Sequence, residues 1–332
     1  MINKTKNKFF IIIFLLSIIV LLISGCSVEK ETLKKDNEKI QIITTLFPQY
    51  DFAKKVGGDR VDVKLLIPPG VEAHSFEPTP RDMVSIEKAD IFIYTNEYME
   101  PWAVKIAENV KSDELIIIDA SKDVELMDID GYEEHDHHDD HDHGDKDPHI
   151  WTDPIYAKYM VNNIVDGLIK SDPENSEFYI KNGEDYKKEL DALHKKIKTA
   201  LEKTQSNKII YGGHFAFGYF AKRYNLEYIS PYVGFSPNAE PSPQKIIELI
   251  NNLKESGTNT IYYEELIEPK VAKILSKETN AQILLLHAAH NVSKEELESN
   301  LSYIDIMEGN LERLKEGLGY NEWYIKCKKS DS

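Results

Sequence analysis

Residues 133–143 read Glu-Glu-His-Asp-His-His-Asp-Asp-His-Asp-His and hold five of the chain's 11 histidines: His135, His137, His138, His141 and His143. No apolar side chain interrupts the run, so it cannot build a packed element. Its imidazole nitrogens and carboxylate oxygens are ligands for a transition metal; a solvated acidic linker is the plainer alternative. Six further histidines stand apart: His74, His149, His194, His214, His287 and His290. His194 lies beside Lys195 and Lys196 in a helical stretch and reads as a surface residue. His74 follows the loop Pro68-Pro69-Gly70-Val71-Glu72-Ala73, and His214 follows Tyr211-Gly212-Gly213. His290 comes after Leu284-Leu285-Leu286, and His149 stands at a helix start within Asp147-Pro148-His149-Ile150-Trp151-Thr152-Asp153-Pro154.

Open α/β sheets bind ligands beyond the carboxyl ends of their strands. A single histidine there is commonly a local hydrogen-bonding group. Four in equivalent places, two per half, point to one shared ligand. A cage of four imidazoles suits tetrahedral zinc, whereas manganese favours carboxylate oxygens. Such a cage also leaves no position for a catalytic water, which argues for binding rather than hydrolysis.

These positions need a scaffold, and the apolar pattern supplies one. The spacing predicts strands at 40–45, 61–67, 91–94 and 115–118, with helices at 48–56, 80–88 and 101–110. The rhythm repeats with strands at 208–211, 228–230, 260–263 and 282–286 and helices at 216–224, 243–256 and 269–279. A closing helix is predicted over 293–317, with Ser293 and Glu296 spaced as a capping box. Between the halves, Phe178, Tyr186, Leu190, Leu193, Ile197 and Leu201 recur at mostly helical spacing. The expected fold is therefore α/β: two α/β lobes with mainly parallel central sheets, joined by one long rigid helix, with the metal site in the cleft between them. The expected boundaries are 40–172 for the first lobe (with the His/Asp-rich loop at 133–146), 173–205 for the linking helix and 206–328 for the second lobe.

The N-terminal segment reads as a signal peptide over 1–25: Lys4, Lys6 and Lys8, then an apolar stretch from Phe9 to Ile23, then Ser24-Gly25-Cys26. The apolar stretch is shorter than the ~20 residues a spanning helix needs. Small residues directly before Cys26 resemble a lipoprotein processing box, which makes Cys26 the lipidation site and 26–39 a flexible tether. Cys327 is the other cysteine, so no disulfide is expected. Removing the three lysines takes the formal charge from −17 to −20. That acidity excludes a general nucleic-acid role and suits a cationic partner.

The segments 70–80 (Gly-Val-Glu-Ala-His-Ser-Phe-Glu-Pro-Thr-Pro), 147–154 (Asp-Pro-His-Ile-Trp-Thr-Asp-Pro) and 214–224 (His-Phe-Ala-Phe-Gly-Tyr-Phe-Ala-Lys-Arg-Tyr) resemble three successive metal-ligand motifs of the cluster A-I (cluster 9) solute-binding lipoproteins. Pro269-Lys270-Val271-Ala272 is similar to part of the family's last helix–strand unit. The resemblance covers essentially the whole mature chain. It implies a lipid-anchored, extracytoplasmic protein that binds zinc or manganese and delivers it to an ABC importer permease. A monomer is expected, without enzymatic activity.

By the same resemblance His74, His149 and His214 occupy the first three ligand positions, and a histidine at the third favours zinc. The family's fourth ligand is usually a carboxylate. Here His290 aligns with it, a departure that leaves His287, Glu264, Glu265, Glu268 or water as competitors. The acidic histidine run matches an accessory loop common in zinc-type members. The alternatives are a manganese-binding member, an adhesin, and a surface zinc metalloenzyme using Glu77 as base. The last lacks a His-Glu-x-x-His pattern.

Overall fold

The first strand, β1 (Ile40–Thr44), is built of β-branched residues and buries all but Gln41. Such a strand is covered on both faces, as in a parallel sheet flanked by helices. In the computed structural model, which describes residues 39–110, 114–129, 146–232, 241–256 and 258–321, it lies inside such a sheet. Cys26, the tether before Lys39, the acidic run with His135, His137, His138, His141 and His143, and Cys327 lie outside the described residues.

β1 pairs in parallel with β2 (Val61–Leu65) on one side and β3 (Ile91–Tyr94) on the other, and β3 pairs with β4 (Ile116–Asp119). The order is β2-β1-β3-β4. Helices α1 (Phe47–Gly57), α2 (Pro80–Glu87) and α3 (Pro101–Asn109) connect the strands, each with proline in its first turn. Thr79 caps α2 by accepting from the Asp82 amide, and the Asp82 carboxylate returns a bond to the Thr79 amide.

The second half repeats this plan. β5 (Lys208–Ile210) pairs with β6 (Glu227–Ile229), and β7 (Thr260–Tyr263) pairs with β8 (Gln282–Leu285), all in parallel. A parallel bridge from Tyr211 to Tyr262 joins β5 to β7. The strand order is then β6-β5-β7-β8, the same order of visiting as in the first half. Around it stand α6 (Gly218–Tyr224), α7 (Pro243–Ser256) and α8 (Lys270–Thr279).

α4 (Pro154–Ser171) and α5 (Ser176–Leu201) lie between the halves. The 26 residues of α5 span about 39 Å at 1.5 Å per residue. The predicted apolar stripe is buried at Tyr186, Leu190, Leu193, Ile197 and Leu201, with Tyr179 in place of Phe178 as its first fully buried member. The predicted start at Pro173 is a 3-10 turn over Pro173–Asn175, and α5 follows it.

The predicted closing helix is two helices, α9 (Lys294–Glu298) and α10 (Tyr303–Gly317). Asn300 adopts a left-handed φ of 57°, which stops α9. Ser302 then opens α10 with its own capping box to Asp305. The Ser293–Glu296 box forms as expected. His194 is half-buried rather than a surface residue, with its Nδ1 3.1 Å from the Tyr224 hydroxyl. The largest core cluster runs through both halves, from Ile40 and Ile93 to Tyr211 and Leu314.

Candidate metal centre

Four loops at the carboxyl edges of the two sheets converge, and each brings one histidine. His74 sits in the loop after β2, whose turn is set by the Glu72 carboxylate accepting from the His74 and Ser75 amides at 2.8 and 2.9 Å. His149 precedes a 3-10 turn over Ile150–Thr152 that leads into α4, where Asp153 caps by accepting from the Ile155 amide. His214 follows β5, and His290 follows β8. Next to His290, Ala289 holds a left-handed φ of 62°, a conformation that costs an alanine roughly 1–2 kcal/mol.

One ligand atom from each of His74, His149, His214 and His290 lies within 4.8 Å of the others. The Nε2 atoms of His149 and His74 are 3.2 Å apart, and those of His149 and His214 are 3.5 Å apart. His149, His214 and His290 are buried at 0%, 3% and 6% exposure, and His74 is half-buried.

Three carboxylates stand behind three of the rings. Asp147 Oδ1 is 2.7 Å from His149 Nδ1, Glu264 Oε2 is 2.7 Å from His214 Nδ1, and Glu265 Oε1 is 3.1 Å from His290 Nδ1. Each contact assigns the ring proton to Nδ1 and leaves Nε2 as a lone pair turned inward. Lone pairs 3.5 Å apart repel unless a cation lies among them. The buried Nε2 of His290 has no hydrogen-bond partner, an arrangement that a metal ion satisfies.

The electrostatics favour unprotonated imidazoles at two corners. Burial, and then the neighbouring histidines, hold His74 and His149 well below the usual histidine range. Burial also opposes charge on His214, but the hydrogen bond and charge of Glu264 outweigh it and raise His214. Glu265 is lowered to about 2: burial works against its charge, and His287 and His290 overcome that. Burial pushes Asp147 up to about 7 despite the His149 amide it accepts from, so this carboxyl is only partly ionised near neutral pH.

The competitors for the fourth corner are placed elsewhere. His287 accepts the Ala289 amide on Nδ1 at 2.9 Å and turns its Nε2 towards Glu296, 3.9 Å away. Glu264 and Glu265 stand behind rings, outside the imidazole group. Glu268 is paired with Lys273 at 3.0 Å, and Glu77 is exposed. The sequence reading missed the role of the acidic pair. Its signal was position: Glu264 and Glu265 directly follow β7, at the same sheet edge as the histidines.

Residues 42–317 match the family model of zinc-uptake complex component A, periplasmic (ZnuA). The high-affinity zinc uptake system protein ZnuA of Bacillus subtilis is 40% identical over 311 residues, which are 92% of this chain and 97% of that protein. The zinc-binding lipoprotein AdcA of Streptococcus pneumoniae is 34% identical over 306 residues, and the match spans 60% of AdcA. The Zn(II)-bound ZnuA-like domain of AdcA superposes with a TM-score of 0.72 at 33% identity, covering 85% of this chain and 99% of that domain. With the strand order, the four convergent loops and the match along nearly all of its folded length, the chain belongs to the ZnuA family of zinc-uptake complex component A proteins.

Proposed function

We propose that this chain captures one zinc ion between its halves and hands it to the permease of an ABC importer. The observation that carries the reading is the group of four imidazoles whose ligand atoms lie within 4.8 Å of one another. Four nitrogen donors complete a tetrahedral shell and leave no position for an attacking water, so the site holds its ion rather than using it. Nitrogen donors also favour zinc over manganese. The lobes 40–172 and 206–328, with α5 between, supply two histidines each. A lipid on Cys26 keeps the monomeric chain on the outer face of the membrane.

The negative charge of the chain concentrates cations near it. The acidic run collects zinc weakly, because ordering a segment without a core around the ion costs entropy. Behind the tetrad, Asp147, Glu264 and Glu265 balance the charge of the bound ion. The test is calorimetric titration of the metal-free chain with zinc and with manganese. One tight zinc equivalent is expected, and a deletion of Glu133–His143 should retain it while losing only weak extra equivalents. Tighter manganese binding overturns the choice of metal, and loss of the tight equivalent in the deletion overturns the choice of histidines.

Binding should also depend on pH in a defined direction. The ion needs His214 neutral, and Glu264 raises the pH at which this ring protonates above the ordinary 6.5. Affinity therefore falls as pH drops through that raised value, about tenfold per pH unit for each competing proton, and the proton of Asp147, raised to about 7, adds to that of His214. His74 and His149, both lowered, add nothing until the pH is far more acid. Titrations in buffers of different ionisation enthalpy should find proton release growing as pH drops. Constant affinity and no release from about pH 7.5 to 5.5 contradict this assignment.

A further inference from the structure

We infer that Asn291 and Tyr219 are positioning residues of the imidazole group, each tying the segment of one histidine to that of another from the opposite half. The inference rests on the tetrad being the zinc site. It concerns what holds the four rings at their spacing.

His74 is carried on a stretch between β2 and α2 that contains no strand or helix. Across the cleft stands Asn291, fully buried and directly after His290. Its Nδ2 donates to the carbonyls of Pro68 and Val71 at 2.7 and 3.0 Å, and its Oδ1 accepts the Val292 amide at 2.9 Å. The Gly70 amide donates to the Val292 carbonyl at 2.8 Å. The loop of the first histidine is thus bound to the loop of the fourth. Two carbonyl oxygens need a group with two N–H bonds, which an amide has and a carboxylate lacks.

The second tie starts on α6, five residues after His214. The Tyr219 hydroxyl donates to the Asp147 carbonyl at 2.7 Å and accepts the Met127 amide at 2.9 Å. Asp147 is the residue whose carboxylate holds the His149 ring. Beside it, a Cβ on Gly218 would stand 2.4 Å from Asp147 Oδ2, so α6 comes against this carboxylate at a position with room for glycine alone. The start of α6 therefore fixes Asp147 from one side while leading back to His214 on the other.

These two ties link His74 with His290 and His149 with His214, each joining one half to the other, beside the Trp151 Nε1 bond to the Ala288 carbonyl that links the His149 and His290 segments. Neither Asn291 nor Tyr219 is a ligand; both act through the backbone that carries the rings. Loosening either tie lets the rings of that pair move apart, so weakening either should speed release.

The test uses the full chain with Tyr219→Phe, Asn291→Asp and, should the aspartate prevent folding, Asn291→Ala. Three quantities are read: the zinc off-rate in a chelator chase, the visible absorption of the cobalt(II) form, and the unfolding midpoint of the metal-free chain. The parent should show the intense bands of four-coordinate cobalt; a parent without them overturns the zinc-site reading and this inference with it. With those bands present, each variant should release zinc about ten- to a hundredfold faster, the scale of losing a partner behind a metal ligand, and show weakened or shifted cobalt bands. Parental off-rate and parental cobalt bands in both residues' variants overturn the inference, even where the unfolding midpoint falls, because the residues are then structural only. A change at one residue alone keeps that tie and removes the other.

Discussion

His149→Ala should weaken zinc binding by at least about 100-fold, since changing a partner behind a ligand already costs 10–100-fold. That factor is about 2.7 kcal/mol. His149 is the central corner of the group: its Nε2 lies 3.2 Å from that of His74 and 3.5 Å from that of His214. The ring is fully buried, so its truncation leaves a gap inside the group. A water filling the gap would supply one oxygen in place of a nitrogen held from behind by Asp147. Competition against a chromophoric chelator measures the loss. His194→Ala serves as control, because that ring bonds to Tyr224 and lies outside the group. Parental affinity in His149→Ala would remove this residue from the site.

Trp151→Ala should be the most damaging change to stability, at about 3–5 kcal/mol, the usual cost of truncating a buried aromatic ring. Native chains stand only about 5–15 kcal/mol above the unfolded state. The Trp151 ring is completely buried and lies edge-on to His149 and His290, with centroids 5.3 and 5.4 Å away. Its Nε1 donates to the Ala288 carbonyl at 2.7 Å, a bond between the two halves. Truncation therefore opens a cavity and orphans a buried carbonyl. Trp151→Phe keeps a six-membered aromatic ring but loses the rest of the indole and its N–H, so the cavity is smaller and the cost less, while the Ala288 carbonyl is orphaned in both variants. Denaturant unfolding in chelator separates the two variants; a loss under about 1 kcal/mol in the alanine variant would contradict this account.

The strands were legible because parallel strands covered on both faces read as apolar runs, as in Ile40–Thr44 and Ile91–Tyr94. The four histidines were legible as candidates because each stands just beyond such a run or at a helix start. The choice between His287 and His290 was not, since both sit on one irregular loop. It depends on the left-handed Ala289 between them and on an amide that occupies His287 Nδ1. Glu264 and Glu265 read as weaker competitors for the fourth ligand position; only folding shows them buried behind rings. The break between α9 and α10 was masked by continuous helical spacing, although Ser302 and Asp305 carried the capping signal. The ties through Asn291 and Tyr219 span 220 and 72 residues of sequence, and no local pattern announces them.

The core that runs from Ile40 to Leu314 has a consequence for how the chain is made. The Tyr303 amide donates to Asp51 across 252 residues, and the Tyr303 ring packs edge-on to Phe52 at 5.0 Å. Part of the burial of α1 is thus completed by α10. Closing so long a loop is slow, because its entropy is lost before the contacts repay it. A chain emerging in order from its N-terminus forms this contact only when nearly all of it is available. The same architecture that brings distant loops together around one ion thus delays the completion of its core until the last of those loops has been made.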